Sequence, residues 1–280
     1  MNNRRHKGNG RKSQGVYWRA LFGWPMRWPV RWLAVGAIAS ILILALLSQP
    51  RWIFRLATQL MPGAIYAVDL PASQKTVALT IDDGPSAATA DILNTLAKHS
   101  VKATFFNISG NLPDHEAIVQ QAVSSGHELG NHLTADYPSI RLSPADFEAS
   151  LLTADRALSP FLQTAHLLPT ACPATATNLQ TNLHWLRPGM GFYDQTMVKT
   201  AQRHGYRLVL GSVFPYDTHL PSSRFASAFI LSTVRPGDII VLHDGLERGR
   251  RTAQTLAKIL PALQARGYAV TTVTQLMSSS

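Results

Sequence analysis

The sequence contains a single cysteine, Cys172, among its 280 residues. One cysteine excludes an intramolecular disulfide bond and a zinc site built from several cysteines. Charged residues are also scarce, at 15%, whereas hydrophobic residues make up 46% of the chain. This balance excludes a disordered protein and indicates a folded core. No G-x-G-x-x-G or P-loop motif follows any strand candidate, which argues against a nucleotide-binding fold.

Acidic residues are absent from the first 68 positions, although these positions carry ten lysines and arginines. Residues 69–280 hold sixteen residues of each sign, so the net charge of +10 arises from the N-terminal segment alone. The remainder of the chain has no basic bias, and we therefore expect no nucleic acid partner.

A long uncharged run, WLAVGAIASILILALLS, occupies residues 32–48 behind this basic segment. The combination predicts a single-pass transmembrane anchor over residues 32–49, with the lipid bilayer as its partner. The positive-inside rule makes residues 1–31 a basic cytoplasmic tail and places the rest of the chain outside the cytoplasm, at the plasma (inner) membrane. Residues 50–73 then form a juxtamembrane linker with an interfacial segment at 51–62. A cleaved signal peptide and a buried core helix are the alternatives.

From residue 76 onward, β-rich runs alternate with helical stretches. The strand candidates are 76–82, 102–107, 127–132, 184–188, 207–212, 238–244 and 268–273. The helix candidates are 86–99, 115–125, 144–158, 193–204, 224–234 and 250–266. Helices between strands predict parallel strands, which form either an open doubly wound sheet or a barrel. Residues 159–183 break this rhythm and are predicted to be a surface excursion.

Polar side chains follow the carboxyl ends of these strands. They are Asp82, Asp83, His132, Asp136, Arg187, Asp217, His243 and Asp244. In a barrel of parallel strands all these positions lie on one face, where active sites usually form. Two adjacent buried aspartates repel each other unless a cation lies beside them. Because His132 and Asp136 are four residues apart, one helical turn would direct both at a common ion.

Taken singly, each of these residues has an ordinary structural interpretation. Asp-Gly-Pro is a common turn sequence, Arg187 suits a plain ion pair, and His243 suits a satisfied core histidine. Their occurrence at successive strand ends favours a functional site.

Five segments together resemble the polysaccharide deacetylase family, the NodB-homology group. They are TIDDGP (80–85), KATFF (102–106), GHELGNH (126–132), RPGMGFY (187–193) and IIVLHD (239–244). The resemblance covers about residues 74–275 and marks 74–280 as the catalytic domain. It implies a distorted (β/α) barrel of seven or eight strands, preceded here by the predicted transmembrane helix. It also implies metal-dependent removal of N- or O-acetyl groups from a carbohydrate polymer, so that an acetylated glycan is the expected substrate.

The same resemblance implies a role for each matching residue. Asp82 would be the general base and Arg187 would orient it, while His243 would be the general acid. Asp83 and His132 would bind a divalent metal, zinc first and cobalt, manganese or nickel as alternatives.

The sequence departs from the family at two of these positions. Asp136 stands where the family has a second histidine, and it is expected to be the third metal ligand, with a preference shifted toward harder ions. The alternative is that Asp136 faces solvent in a loop, because residues 134–138 partly resemble a turn. Gly189 stands where the family usually has proline. Asp217 is our candidate for the residue that holds His243. The alternatives are a membrane-tethered glycan-binding protein with a degenerate site, and a metal-dependent hydrolase of another small amide or ester.

Overall fold

The computed structural model describes residues 28–165 and 183–279. The chain divides into two compact units, Met1–Leu47 and Ser48–Ser280. Within the first unit the described part is one helix, α1 (Trp28–Leu47). Most of the predicted basic tail, Cys172 and most of the predicted excursion at 159–183 lie outside the described residues.

The second unit is built from eight parallel strands and the helices between them. The strands are β1 (Ala64–Ile65), β2 (Thr76–Gly84), β3 (Thr104–Asn107), β4 (Glu128–Asn131), β5 (Trp185–Leu186), β6 (Arg207–Val209), β7 (Ile239–His243) and β8 (Ala269–Thr271). The helices are α2 (Arg51–Leu60), α3 (Thr89–Lys98), α4 (Glu116–Ser124), α5 (Pro144–Ala165), α6 (Gln195–Arg203), α7 (Ser223–Thr233), α8 (Leu246–Ala265) and α9 (Val273–Met277).

The sheet curls into a half-barrel, and this confirms the predicted α/β class and parallel strands. Its strand order is β1-β6-β5-β4-β3-β2-β7, with β8 pairing the start of β2. Isolated bridges join Ala67 to Asp238 and Val213 to Ile240, so segments beside the two end strands approach each other without a continuous ladder. The shape is therefore a curled sheet rather than a fully closed barrel.

The alternation along β2 places the core and the polar site on opposite faces. Val77, Leu79 and Ile81 are fully buried in the large apolar cluster that also includes the helices. The intervening residue Ala78 belongs to a smaller cluster with Phe106, Trp185 and residues of α9. Position 82 shares the face of Ala78, so the strand directs Asp82 toward the inside of the curl.

The segment predicted to be a linker, residues 50–73, contributes to the folded unit. Helix α2 forms there, and Arg51 donates to Asp238 with an Nε–Oδ1 distance of 3.0 Å. Strand β1 pairs with β6 through the register Ala64↔Leu208 and Ile65↔Val209. A two-residue strand carries no alternating pattern, which is why the sequence did not indicate it.

The N-terminal helix differs from its prediction. Helix α1 ends at Leu47 and so stops before the end of the anchor predicted at 32–49. Over the described ranges, no helix combines the length and apolar character that crossing a membrane requires. Among the described residues the predicted transmembrane anchor is therefore not found, and the bilayer contact predicted with it has no support.

Candidate active site

A bulge at the end of β2 brings two adjacent aspartates to the same site. The register with β3 shifts between Asp82 and Gly84, and Asp83 adopts the left-handed region with φ 66°. In a regular strand the two side chains would point to opposite faces. The extra residue of the bulge removes this alternation, so both buried carboxylates serve one cluster.

Arg187 is the buried cation that holds Asp82. Its Nη1 donates to Asp82 Oδ1 at 2.6 Å and to Thr80 Oγ1 at 2.7 Å, and its Nε donates to the carbonyl of Val209 at 2.8 Å. The guanidinium carbon lies 4.2 Å from the centre of the Phe106 ring. The Arg187 guanidinium is therefore fixed on three sides, and it fixes the orientation of Asp82.

His243 and Asp217 form a second pair at the end of β7. Asp217 accepts from the backbone N–H of His243 at 2.9 Å, and His243 Nδ1 lies 3.0 Å from Asp217 Oδ1. Burial, the largest effect, lowers the pKa of His243, but the charge and hydrogen bond of Asp217, aided by Asp82 and Asp83, raise it to about 9. His243 is thus held protonated at neutral pH, and Nδ1 is the ring nitrogen that Asp217 engages.

His132 links Arg187 to Asp83. Its Nδ1 donates to the carbonyl of Arg187 at 2.6 Å, because a carbonyl oxygen only accepts. Its Nε2 lies 3.3 Å from Asp83 Oδ1. Burial, the largest effect, lowers the pKa of His132, yet the hydrogen bond to Asp83 and the charges of Asp82 and Asp83 outweigh it and raise the pKa. Burial, the largest effect on Asp83, raises its pKa. The hydrogen bond and charge of His132, together with the charges of His243 and Arg248, outweigh burial, so the pKa of Asp83 is lowered.

Asp136 is exposed, in contrast to its predicted role as a metal ligand. The prediction assumed one helical turn from His132, but Leu133 has φ 64° and the chain leaves the strand in a loop. Two glycines fix this loop by close approach. A Cβ on Gly110 would lie 2.4 Å from the carbonyl oxygen of Thr134, and one on Gly189 would lie 2.1 Å from that of Tyr137.

The predicted three-ligand metal site is consequently incomplete. Among the described residues no group of three or more His, Cys, Asp or Glu side chains is placed to hold a metal ion. Asp83 and His132 converge, but the second oxygen of Asp83, Oδ2, lies 3.2 Å from Nη1 of Arg248. The donor set that the structure shows does not fit a metal bound by Asp83, His132 and Asp136.

Sequence reasoning did not single out two of the residues in this cluster. Thr80 lies two positions before Asp82 on the same face of β2, so the alternation of the strand could have indicated it. Arg248 belongs to the basic run Arg248–Arg251 at the start of α8, and such a run resembles an ordinary solvated helix face. No sequence signal connects it to Asp83, 165 positions earlier.

Asp244, the residue after His243, fixes the loop that follows β2. It accepts from Ser86 Oγ at 2.7 Å, from the hydroxyl of Thr89 and from the backbone N–H of Gly245 at 2.6 Å. A Cβ on Gly249 would lie 2.4 Å from Asp244 Oδ1, so only glycine fits there. These contacts give Asp244 a structural role beside the site.

The chain resembles characterised proteins over most of its length. A family model described as polysaccharide deacetylase matches residues 69–209. A chitooligosaccharide deacetylase from Bradyrhizobium is 32% identical over 215 residues, which cover 72% of this chain and 90% of that protein. A peptidoglycan-N-acetylglucosamine deacetylase from Bacillus cereus is 29% identical over 225 residues, covering 79% of this chain and 97% of the other.

A solved structure agrees with these sequence matches. A family 4 acetyl xylan esterase from Clostridium thermocellum, in complex with a cobalt ion, superposes with a TM-score of 0.63 at 29% identity, over 73% of this chain and 91% of that chain. Family model, sequence relatives and fold therefore point the same way. The chain belongs to the polysaccharide deacetylase family, whose members are hydrolases that remove acetyl groups from carbohydrates.

Proposed function

We propose that this protein hydrolyses the acetamide of N-acetylglucosamine units in a glycan, using Asp82 as general base and His243 as general acid. The observation that carries the proposal is the pairing of these two residues across neighbouring strands. Asp82 lies opposite His243 in the register of β2 and β7. Each has its own fixed partner, Arg187 for Asp82 and Asp217 for His243.

This arrangement separates a base from an acid, as amide hydrolysis requires. Asp82 would take a proton from water as the water oxygen bonds to the acetyl carbon. When the carbon–nitrogen bond breaks, His243 would donate a proton from Nε2 to the leaving amine. The first products are acetic acid, which ionises to acetate, and a free amino sugar. Asp82 then releases its proton to solvent and His243 takes one up, so both groups return to their starting states.

The turn after β5 is our candidate for holding the oxyanion. Residues Gly189–Gly191 form a single 3-10 turn in which Met190 has φ 59°. Donors at such a turn approach a substrate closely because the flanking glycines have no side chains. We propose the backbone N–H of Met190 for this role.

Metal dependence is a general property of the family, and the cobalt ion in the Clostridium esterase structure accords with it. The three-ligand set predicted from the sequence does not fit the described structure of this chain.

The substrate class is proposed from chemistry that the relatives share. The names of the Bradyrhizobium and Bacillus cereus proteins give chitooligosaccharide and peptidoglycan N-acetylglucosamine as what those proteins act on. Several large apolar side chains are exposed on the loops, the 3-10 turn and the helix start that follow the strand ends, and such groups suit the apolar faces of sugar rings. They are Tyr137, Met190, Phe192, Leu220 and Leu246.

Acetate release tests the proposal directly. The purified chain would be incubated with chitooligosaccharides, with peptidoglycan and with acetylated xylan, in parallel samples with added zinc or chelator. We expect release from the first two, and a rate lower by about 10²- to 10⁴-fold in His243→Gln. His204→Gln is the matched control, because His204 pairs with Glu148 on helices outside the site.

Two other outcomes would change the conclusion. Glycan binding without acetate release under any condition would support the alternative of a glycan-binding protein, which the incomplete ligand set favours. Acetate release from acetylated xylan alone would mean that the protein hydrolyses O-acetyl esters and not the acetamide of N-acetylglucosamine.

The location of the catalytic unit remains a proposal. We propose that it acts outside the cytoplasm, because an all-basic segment before an uncharged run, here at 32–48, is also the pattern of a secretory signal peptide. Reporter fusions at residue 280 that are active only in the cytoplasm would contradict this.

A further inference from the structure

One cation reaches the deacetylase site from outside the pattern of family motifs. Arg248 is the third residue of α8, and its Nη1 lies 3.2 Å from Asp83 Oδ2. Its side chain is 33% exposed, whereas that of Asp83 is 8% exposed. The guanidinium therefore covers the buried carboxylate from the solvent side.

The backbone before α8 makes room for this contact. Gly245 has φ 94°, and a Cβ built there would lie 3.2 Å from Arg248 Nη2. A side chain at 245 would press against the guanidinium, so the glycine permits the position that Arg248 adopts.

Both oxygens of Asp83 are occupied in consequence. His132 lies against Oδ1 and Arg248 lies against Oδ2. Asp136 is exposed, on the loop that packs against Gly110 and Gly189. A divalent cation at this point would have to displace the guanidinium and would find two protein ligands instead of three.

The charges of the cluster lead to the same conclusion. Asp82 is paired with Arg187, and Asp83 with Arg248. Each carboxylate is thus already neutralised by a guanidinium a few ångströms away, so a dication gains little from the site as a whole. Removing Arg248 would free Asp83 Oδ2 and leave His132, at Oδ1, as the ion-pair partner of Asp83.

We propose that Arg248 occupies the cation position beside Asp83 and competes with divalent metal there, so that metal binds this chain weakly unless Arg248 swings away. The inference rests on the proposed deacetylase site but makes a separate prediction about metal affinity. Arg248 is a positioning residue for Asp83 in this state, and the one third of its side chain that is exposed gives it a path toward solvent.

Titration calorimetry with zinc, and cobalt absorption spectra, test the proposal on the full chain after chelator treatment. We expect Arg248→Met to bind zinc about 10- to 100-fold more tightly than the unaltered chain, because a competing charge is removed. Arg250→Met is the matched control, since Arg250 lies on the same helix and pairs with the exposed Glu247. Its affinity should not change.

A second pair of variants makes the test independent of one substitution. Arg248→Lys keeps the charge on a shorter, more flexible side chain and should give less tightening than Arg248→Met. Arg248→Gln serves the same comparison if the methionine variant does not fold, as judged by its circular dichroism. Equal zinc affinity for the unaltered chain, Arg248→Met and Arg248→Gln would overturn the proposal.

Acetate release is measured on the same samples to separate this inference from the proposed function. If Arg248→Met binds zinc more tightly but no variant releases acetate, the proposal about Arg248 is supported and the proposed deacetylase function is contradicted. Acetate release by the unaltered chain together with zinc binding as tight as that of Arg248→Met would do the reverse.

Discussion

The two ends of the curled sheet each bury carboxylates, but they satisfy them in different ways. At the amino end, Glu128 accepts from Thr104 Oγ1 at 2.6 Å, from Trp185 Nε1 at 3.0 Å, and from the hydroxyl and backbone N–H of Thr274. All of these donors are neutral. At the carboxyl end, Asp82 and Asp83 face Arg187, His132 and Arg248 instead.

The difference shows that Glu128 has a structural role, whereas Asp82 and Asp83 belong to the proposed catalytic site. Glu128 ties the first residues of three neighbouring strands to α9, and its partners exchange no protons. The aspartates at the other end are surrounded by groups that carry or transfer charge, which is the arrangement that catalysis needs. Burial alone does not distinguish the two sites; the charge of the partners does.

The largest expected effect follows from Asp82→Asn. The amide keeps an acceptor for Arg187 but cannot take a proton, so we expect turnover to fall by about 10²- to 10⁴-fold. The loss of a buried charge opposite Arg187 should also lower the free energy of unfolding, by up to about 3 kcal/mol. Acetate release per folded molecule, with the fraction folded taken from denaturation curves, measures the two effects separately. Near-normal turnover would refute the general-base role.

Glu128→Gln examines the opposite end of the sheet. The amide has one acceptor oxygen and brings its own donor toward the donors of Thr104, Trp185 and Thr274, so we expect the free energy of unfolding to fall by about 1–3 kcal/mol. Turnover per folded molecule should stay close to that of the unaltered chain. Urea denaturation and the same acetate assay check this, and a rate loss comparable with that of Asp82→Asn would break the comparison.

Asp217→Asn tests the charged partners at the carboxyl end of the sheet, because it should change how turnover and stability depend on pH. The Asp217 carboxylate raises the pKa of His243 to about 9, so its removal should move the alkaline limit of turnover downward, by about one to two pH units. A raised pKa also stabilises the fold fully below the ordinary histidine value, and this contribution is lost as the pH rises through about 9. The variant should therefore lose stability mainly at neutral and lower pH. Profiles of rate and of melting temperature against pH provide the measurement, and an unmoved alkaline limit would contradict it.

The smallest effect is expected from Thr80→Val, midway along β2 between the two ends. The change removes one acceptor of Arg187 Nη1 and the hydroxyl that donates to the carbonyl of Ile240 at 2.9 Å. Arg187 keeps Asp82 and Val209, so we expect a loss of about 1 kcal/mol in stability and only a few-fold in rate. Melting curves and kcat are to be compared with those of Thr104→Val, which should leave the rate unchanged. A rate loss as large as that of Asp82→Asn would show that Arg187 depends on this hydroxyl.

Much of the architecture could be predicted from the sequence, because the alternation of apolar strands and helical stretches is strong after residue 76. The strand-end positions of Asp82, Arg187 and His243 followed from that rhythm together with the family motifs. Asp217 was a candidate from the sequence, and the structure brings it against His243.

The positions that could not be predicted depend on local backbone geometry or on tertiary packing. The exposure of Asp136 follows from the left-handed Leu133, which a spacing of four residues does not reveal. The shared direction of Asp82 and Asp83 depends on a bulge within β2, which the two adjacent aspartates alone do not reveal. Arg248 meets Asp83 only because α8 begins beside the end of β2, a contact between distant parts of the chain.

The three pairings of β2 have a consequence for the order in which this protein matures. Its partners are β3, β7 and β8, so the strand that carries Asp82 is completed by β7 and β8, which lie more than 150 residues later in the chain. Parallel pairings between such distant segments form late in folding and slowly. A nascent or truncated chain that lacks residues 239–243 would contain the base without its acid, and hydrolytic activity would arise only after this strand has been synthesised and paired.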